Sequence, residues 1–368
     1  MKFYEYKAHE IFRKYSIPVP RGVLASSPDD IVDPPLPCVL KAQVLVGGRG
    51  KAGGIRFAHT LEEVREAARA ILGMAIGPYT VRQVFAQEML DIAQELYLSI
   101  TIDRSVRAPV LMASATGGID IEAVPDDRIF RMHIPPPIGL QPYILRALSR
   151  KLGLPKEVAK QVTDIAHRAY ALFRGEDAEL VEINPLAVLK DGRVMAGDAK
   201  LIVDDNAEFR HPEYAELPQD RTPLEEEAHD KGITFIQLDG DIGVIANGAG
   251  LTMATLDVLS LKDGRGGAFL DLGGTDDPEK VKEAFEILLK AKPSVILLNI
   301  FGGITKADTV AVGVKEALEA MHVSVPVVAR IKGVNEERAR EILQGIGYPA
   351  ETIEEAAELA VKLRAGGA

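Results

Sequence analysis

The sequence contains a single cysteine, Cys38, among its 368 residues. One cysteine cannot build a disulfide framework or a cysteine-rich metal site, so we expect a protein of the reducing cytoplasm. No stretch approaches the roughly 18 uncharged apolar residues of a membrane-spanning helix, and the first residues lack the apolar block of a secretory signal. Acidic side chains outnumber basic ones, 54 to 43, which argues against nucleic acid as a partner.

The remaining composition is that of an ordinary globular protein. Apolar residues make up 47% of the chain and charged residues 26%, with a formal net charge of −11, and these values are not those of a disordered chain. At roughly 100–200 residues per domain, the length predicts two or three domains. Composition therefore excludes several classes of protein without naming a function.

The C-terminal third repeats a pattern of strand, glycine and helix. Short runs too apolar to alternate occur at residues 242–246, 268–272, 295–300 and 325–330. Such runs are typical of parallel strands buried on both faces. Helix-start signals follow at Asp277-Pro278, Thr305-x-x-Asp308 and Thr352-x-x-Glu355. The pattern predicts a doubly wound parallel sheet that binds ligands beyond the carboxyl ends of its strands.

The first part of the chain predicts a different architecture. Helical spacing indicates helices at residues 4–15 and 61–72, and strand patterns indicate hairpins at 97–114 and 180–203. Mixed helix and antiparallel sheet, followed by βα units, predicts an α/β protein with two domains. The proline-rich, acidic segment 211–231 is the best linker, which places the domains at residues 1–222 and 232–368.

The glycine cluster Gly47-Gly48-Arg49-Gly50-Lys51-Ala52-Gly53-Gly54 allows several interpretations. Its spacing matches a dinucleotide-binding motif, but that motif needs a helix immediately afterwards, whereas residues 55–58 indicate a strand. A P-loop is excluded because Ala52 stands where serine or threonine belongs. A flap between two strands would close over phosphates with its backbone N–H groups and its two basic side chains. The alternative is a solvated surface loop.

The second hairpin predicts a cluster of polar side chains. A three-residue loop at 190–192, with Gly192 in the left-handed region, would place Asn184 opposite Asp198 and Glu182 opposite Lys200. Side chains two apart share a strand face, so all four would converge. Carboxylate and amide oxygens suit Mg²⁺, which usually takes one or two such ligands plus substrate phosphates. Ordinary cross-strand pairing on an exposed face is the alternative.

Other polar residues carry weaker signals. Lys41 ends an apolar run, and Glu88 and Glu95 bracket a loop, which would suit contacts to a phosphate and to a base or ribose. Taken singly, such residues are more often solubilising charges on edge strands. Asn247 and the segment 301–305 follow strands at helix starts, where free N–H groups attract anions. The alternative there is that the glycines only permit tight turns.

Blocks of sequence spread over nearly the whole chain form a specific combination. They are Tyr4-Glu5-Tyr6-Lys7-Ala8, residues 44–54, Glu95-Leu96-Tyr97-Leu98, Glu182-Ile183-Asn184-Pro185-Leu186, Asn247-Gly248-Ala249-Gly250-Leu251 and Asn299-Ile300-Phe301-Gly302-Gly303-Ile304. Together they resemble the β subunits of succinyl-CoA synthetase (succinate–CoA ligase), a family built on the ATP-grasp fold. The resemblance implies an ATP-grasp nucleotide-binding domain of two subdomains at 1–222 and a flavodoxin-like CoA-ligase domain at 232–368.

The resemblance also implies a role for each matching residue. Those that match nucleotide contacts are Lys41, Gly48, Arg49, Gly50, Glu88, Leu90 and Glu95. Of these, Leu90 stands where the family often has threonine. Those that match magnesium ligands are Asn184 and Asp198, and Glu182 matches a catalytic carboxylate that steadies a phosphohistidine. Those that match substrate contacts are Asn247, Gly303, Ile304 and Thr305.

The reaction that the resemblance implies is reversible. Succinyl-CoA, phosphate and ADP or GDP give succinate, CoA and ATP or GTP, with Mg²⁺ as cofactor. The phosphoryl group travels on a histidine of an α subunit that also binds CoA. The glycine-rich histidine motif of that subunit is absent from this sequence. We therefore expect the chain to be inactive alone and to act in a heterodimer or an α2β2 heterotetramer.

Three other functions compete with this one. A related ligase that forms a nucleoside diphosphate, such as malate–CoA ligase or ADP-forming acetyl-CoA synthetase, would share the catalytic residues and differ in its acid pocket. A regulatory module without turnover would be expected to have lost some of the residues Lys41, Glu182, Asn184 and Asp198. A nicotinamide-dependent dehydrogenase would need a helix that begins near Gly53.

Overall fold

A computed structural model of the chain describes residues 1–214, 217, 220–274, 277–303, 306–321 and 325–365. It divides into two units, residues 1–220 and residues 221–368. Unit 1 combines helices with antiparallel sheets, whereas the sheet of unit 2 is mostly parallel. This is the α/β organisation predicted from the sequence. No helix in the described ranges is both long enough and apolar enough to cross a membrane.

Unit 1 carries two main sheets. Its strands are β1 (Gly22–Ala25), β2 (Cys38–Ala42), β3 (Ile55–Ala58), β4 (Ala75–Ile76), β5 (Tyr79–Thr80), β6 (Val84–Glu88), β7 (Ile92–Asp103), β8 (Ala108–Ser114), β9 (Ile129–His133), β10 (Ala178–Leu189), β11 (Val194–Ala196) and β12 (Lys200–Val203). Its α-helices are α1 (Glu5–Lys14), α2 (Leu61–Ile71), α3 (Pro142–Leu152) and α4 (Lys156–Gly175). One sheet has the order β1-β6-β2-β3, and the other has the order β11-β10-β7-β8-β9 with β12 beside β10.

Each sheet of unit 1 buries its own apolar core. The core of the first sheet lies under α2, where Val64, Ala68 and Ile71 pack with residues such as Leu40. Thr60 caps the start of this helix, and its hydroxyl accepts from the backbone N–H of Glu63 at 3.2 Å. The larger core of the second sheet lies under α1, α3 and α4. The helices predicted at 4–15 and 61–72 are confirmed.

The second hairpin turns at the position that the sequence predicts. The Leu189 N–H donates to the Arg193 carbonyl at 2.8 Å, and Gly192 has φ +85°. Glu182 therefore pairs with Lys200, as counting from a three-residue loop required, and the predicted register is confirmed. The glycine cluster joins the antiparallel strands β2 and β3. Since a strand follows Gly53 where a dehydrogenase needs a helix, that alternative is wrong.

Unit 2 is a doubly wound sheet. Its strands are β13 (Thr234–Gln237), β14 (Ile242–Ala246), β15 (Gly266–Asp271), β16 (Val295–Gly302), β17 (Val327–Gly333) and β18 (Gly347–Pro349). Its helices are α5 (Pro223–Asp230), α6 (Ala249–Leu261), α7 (Pro278–Lys290), α8 (Ala307–Met321), α9 (Glu336–Ile342) and α10 (Ile353–Ala365).

The strand order in unit 2 is β13-β15-β14-β16-β17-β18. The strands from β14 to β18 run parallel, in the 2-1-3-4-5 order of flavodoxin-like sheets. Apolar side chains of α7 and α8 pack on one face, and those of α6 and α10 pack on the other. All four predicted apolar runs are strands, whereas the edge strands β13 and β18 were not predicted.

The predicted linker, residues 211–231, is partly wrong because it contains α5. The helix begins with a capping box, in which Thr222 N–H donates to Glu225 Oε2 at 2.8 Å and Glu225 N–H donates to the Thr222 hydroxyl at 3.2 Å. Pro223 occupies the first helical position, where its missing N–H does no harm. The proline that suggested a linker is therefore a helix-start residue, and Ala228 packs into the core of unit 2.

The turn at Gly192 can be tested by substitution. Gly192→Ala is expected to lower the free energy of unfolding by about 1–2 kcal/mol, because alanine is strained at positive φ. A Cβ at this position would meet nothing within 4 Å, so steric conflict adds nothing. Gly192→Asn should lose less, since asparagine tolerates the left-handed region. Urea denaturation of both variants measures the difference in the free energy of unfolding. Equal losses of stability in the two variants would contradict the assignment of Gly192 to the left-handed region.

Candidate functional site

A cavity of about 410 Å³ in unit 1 brings the two polar constellations together. Residues 47–51 of the glycine loop line it, and the hairpin contributes Glu182, Asn184, Asp198 and Lys200. Glu5 from the first turn of α1 also reaches its wall. Segments far apart in the sequence thus surround one polar space.

Glu5 is buried between two cations. Its side chain is 2% exposed, and its Oε1 accepts from Lys41 Nζ at 2.6 Å. Its Oε2 accepts from Arg49 Nη1, also at 2.6 Å. Burial disfavours the charged carboxylate, but Lys41 and Arg49 outweigh it and hold the pKa of Glu5 below its usual range. An ionised carboxylate therefore fixes both cations beside the cavity.

Arg49 also reaches the hairpin. Its Nη2 donates to Asp198 Oδ2 at 2.7 Å, while Asp198 Oδ1 accepts from the Ala199 N–H at 2.8 Å. Lys41 Nζ makes a second bond to the hairpin, to the Gly197 carbonyl at 3.0 Å. The four charged groups, two positive and two negative, sum to zero. The glycine loop, α1, β2 and the hairpin are thus joined by one ionic network.

The glycine loop has a defined conformation. Gly48 lies in the left-handed region with φ +83°, and the Gly54 N–H donates to the Arg49 carbonyl at 2.8 Å. At its start, the Leu45 N–H donates to Asp220 Oδ2 at 2.5 Å. Lys51 extends outwards and is 89% exposed, with its Nζ 3.7 Å from an Asp120 carboxylate oxygen. The loop therefore presents one tethered cation and one solvated cation.

Asn184 and Glu182 are held by neighbouring segments. Asn184 Oδ1 accepts from the Gly118 N–H at 2.7 Å, and its Nδ2 donates to the Ile119 carbonyl at 2.9 Å. Glu182 Oε2 accepts from the Tyr97 hydroxyl at 3.1 Å. Burial, together with the neighbouring carboxylate, raises the pKa of Tyr97, so this hydroxyl stays protonated and donates. Both side chains are oriented before any ligand arrives.

The polar oxygens fit a divalent cation that shares its shell with phosphates. Within the described ranges, no group of three or more His, Cys, Asp or Glu side chains could hold a metal by itself. Mg²⁺ usually needs only one or two protein oxygens. A carboxylate has about four lone-pair sites, and Asp198 uses two of them, for Arg49 and Ala199. The donor set of Asp198 and Asn184 therefore suits Mg²⁺ bound together with a nucleotide.

Four residues predicted to contact the nucleotide are not among the described residues of the cavity lining: Lys41, Glu88, Leu90 and Glu95. Glu88 accepts weakly from the Arg21 N–H at 3.4 Å. The Glu95 carboxylate lies against Gly118, so close that a Cβ there would be 1.9 Å from Glu95 Oε2. Leu90 lies beside Gly197, whose carbonyl accepts from Lys41. Contacts thus run from Glu5 in the cavity wall through Lys41 and Gly197 to Leu90.

Two of the predicted substrate residues of unit 2, Asn247 and Gly303, lie at the carboxyl ends of strands. The amide of Asn247 bonds in both directions with Phe301, from Nδ2 to the carbonyl at 2.8 Å and from the N–H to Oδ1 at 2.9 Å. It therefore connects the ends of β14 and β16. Gly303 follows β16. Ile304 and Thr305, including the predicted cap of α8, lie outside the described residues.

Comparison with known proteins decides the family. The ATP-grasp domain family matches residues 2–188, and the CoA-ligase family matches residues 245–363. The chain is 46% identical to the β subunit of ADP-forming succinate–CoA ligase from Pyrobaculum calidifontis, over 99% of both chains. It is 42% identical to the corresponding subunit from Nautilia profundicola, over the full length of both. This chain belongs to the family of succinate–CoA ligase β subunits.

The family and fold predicted from the sequence are therefore confirmed. Among solved structures, ATP citrate lyase from Methanothrix soehngenii, in complex with citrate and coenzyme A, shares the fold with a TM-score of 0.66. It is 18% identical and covers 98% of this chain, with 99% of its own chain matched. At that identity the likeness concerns the fold alone.

Sequence reasoning missed Glu5, although Glu5 organises the cations of the site. A weak signal was present, because Glu5 shares one helical face with Ala8, His9 and Phe12, all of which are buried. A carboxylate on an otherwise buried helix face needs a cationic partner. The pattern does not say which cations provide it, since Lys41 and Arg49 lie 36 and 44 residues away.

The Glu5 network can be tested by stability. Glu5→Gln leaves Lys41 and Arg49 without their shared counter-ion, so we expect the free energy of unfolding to fall by about 3–5 kcal/mol. Glu10→Gln on the same helix is the matched control, because Glu10 is 51% exposed and pairs with Lys7 at the surface. It should change stability by less than about 1 kcal/mol. If chemical denaturation showed similar losses of stability for Glu5→Gln and Glu10→Gln, the importance given to Glu5 would be wrong.

His9 predicts a specific acid sensitivity. Its ring is buried without a hydrogen-bond partner for either nitrogen, and burial, helped by Lys41, lowers its pKa from 6.5 to about 3. Between these values the unfolded chain binds a proton that the folded chain does not, so stability falls as the pH falls through this window. The loss is at most about 1.4 kcal/mol per pH unit.

Replacing His9 should remove this part of the acid sensitivity. We expect His9→Leu to flatten the dependence of unfolding free energy on pH between 7 and 5.5, a range above the ordinary titration of carboxylates. His167→Leu, at an exposed position on α4, should leave the slope unchanged. Urea titrations at both pH values give the free energy of unfolding of each variant. If it changes equally with pH in the two variants, the prediction is wrong.

Proposed function

We propose that this chain is the nucleotide-binding β subunit of an ADP-forming succinate–CoA ligase. The reaction converts succinyl-CoA, phosphate and ADP reversibly into succinate, CoA and ATP. The observation that carries the proposal is the shared cavity, in which the glycine loop faces Glu182, Asn184 and Asp198. Phosphoryl transfer asks a protein mainly for positioning and charge neutralisation, and this cavity supplies groups for both.

The phosphate side of the site would be formed by the loop and β2. Lys41 and Arg49 provide positive charge, and the backbone at Gly48 and Gly50 provides N–H groups without side chains in the way. Asn184 and Asp198 would hold Mg²⁺, which supplies charge stabilisation to the phosphates when bound. Glu182, oriented by Tyr97, would steady the imidazole of an incoming histidine by accepting its N–H.

Further contacts extend the assignment over both units. We assign Glu88, Leu90 and Glu95 to the base and ribose of the nucleotide. The substrate side would use Asn247, Gly303, Ile304 and Thr305. On this assignment residues 1–222 form the nucleotide-binding domain and residues 232–368 the CoA-ligase domain, which the matches at 2–188 and 245–363 support.

The proposed catalytic cycle needs a second chain. A histidine that carries the phosphoryl group has to reach Glu182, and the glycine-rich motif of such a carrier is absent from this sequence. We propose an α subunit that carries the histidine and binds CoA, in a heterodimer or an α2β2 heterotetramer. The free, buried thiol of Cys38 is compatible with work in the cytoplasm.

The test is reconstitution with an α subunit from the same family. The mixture should form ADP from ATP in the presence of succinate and CoA, while this chain alone should not. Asp198→Asn should lower kcat/KM by about 100-fold or more, as expected for the loss of a group that neutralises phosphate charge through the metal. Asp191→Asn, at the exposed tip of the same hairpin, is the matched control and should retain activity.

The same assay distinguishes the neighbouring ligases. Malate, acetate and succinate are offered in parallel at equal concentration. Activity with malate or acetate but not with succinate would replace the proposed substrate while keeping the reaction class. Full activity of Asp198→Asn would remove that residue from the site.

A further inference from the structure

Arg49 is hydrogen-bonded to Asp198, the carboxylate that the proposed function assigns to the metal. Its guanidinium lies between Glu5 and Asp198, with N–O distances of 2.6 and 2.7 Å. The side chain of Arg49 is 15% exposed, and that of Glu5 is 2% exposed. The Asp198 side chain is 27% exposed, so the bridge is desolvated at Glu5 and partly buried at Asp198.

Such a bridge opposes the binding of a free divalent cation. A cation at Asp198 Oδ2 would have to displace the Arg49 guanidinium or lie next to it, and like charges that close repel strongly in a partly buried site. The other oxygen, Oδ1, accepts from the Ala199 N–H and has about one lone-pair site left. With its two cations and two anions, the network is neutral and gives a bare divalent ion little net attraction.

Nucleotide phosphates would change this balance. Arginine binds phosphate with two parallel hydrogen bonds, so phosphates in the cavity compete with Asp198 for the guanidinium. Arg49 belongs to a loop without helix or strand, and its movement disrupts no regular element. Lys41 lies on β2 and has a second partner in the Gly197 carbonyl, so it stays in place.

We propose that Glu5 is a positioning residue that holds Arg49 across the Asp198 carboxylate as long as no phosphate competes for the guanidinium, so that a divalent cation binds there only after phosphates draw Arg49 away. The proposal rests on the proposed function, because it takes Asp198 as a metal ligand. It adds an order of events: the nucleotide phosphates bind Arg49 first, and a divalent cation alone binds Asp198 only weakly.

Manganese binding without nucleotide tests this order. Free Mn²⁺ is titrated against the full-length chain and followed by electron paramagnetic resonance, which needs neither an α subunit nor turnover. Arg49→Met removes the guanidinium and keeps a long side chain, so it should bind Mn²⁺ at least tenfold more tightly than the wild type. Glu5→Gln, which leaves Arg49 with one anchor, should lie between the two.

Two control variants show where the additional Mn²⁺ affinity arises. Arg49→Met combined with Asp198→Asn should lose the added affinity, because the metal would bind at that carboxylate. Arg193→Met removes another arginine–carboxylate pair of the same hairpin, which is exposed and has an N–O distance of 2.7 Å. It should behave like the wild type. Near-ultraviolet circular dichroism checks that each variant is folded. If Glu5→Gln does not fold, the comparison of Arg49→Met with the wild type still tests the proposal.

The outcomes separate this proposal from the proposed function. Equal Mn²⁺ affinity in the wild type and Arg49→Met would overturn the proposal, and so would a gain that survives Asp198→Asn. A second titration with ADP present should raise the affinity of the wild type at least tenfold. If ADP does not bind at all, the proposed function fails, while the titrations without nucleotide still decide whether Arg49 blocks Asp198.

Discussion

The proposed nucleotide site of this protein depends on one buried carboxylate. Glu5 holds Lys41 with one oxygen and Arg49 with the other, and so connects α1, β2 and the glycine loop. Buried ion pairs are weak sources of net stability, since apolar side chains of similar volume often serve as well. An apolar contact would hold α1 against β2, but it would not hold Arg49 at the cavity wall or connect Lys41 to it. The carboxylate is therefore best explained by the site.

The hairpin shows why part of the site was predictable. A three-residue turn fixes the register, and the register fixes which side chains face each other, so local counting placed Glu182 opposite Lys200. The sheet of unit 2 was equally accessible, because parallel strands buried on both faces leave continuous apolar runs in the sequence. The glycine loop could be interpreted because residues 55–58, directly after it, have the pattern of a strand.

Other features could not be derived from local patterns. The contact between Arg49 and Asp198 joins residues 149 apart, and no periodicity encodes such a pair. The strands β13 and β18 are short and mostly exposed, so they lack the apolar signal of their neighbours. At α5 the prolines of the segment suggested a break, although Thr222 and Glu225 form a capping box. The prolines and the capping box predict different structures for this segment, and packing of α5 against the core of unit 2 decides for the helix.

The antiparallel strand β13 has a practical consequence. It covers the outer edge of β15, while the opposite edge of the sheet is the short strand β18 with Pro349, a residue that blocks further pairing. The parallel strands are thereby flanked by a short antiparallel strand on one side and by a short strand with a proline on the other. A CoA-ligase fragment cut after residue 240 would uncover a hydrogen-bonding edge and invite aggregation. Recombinant excision of this half should begin ahead of α5, at Arg221.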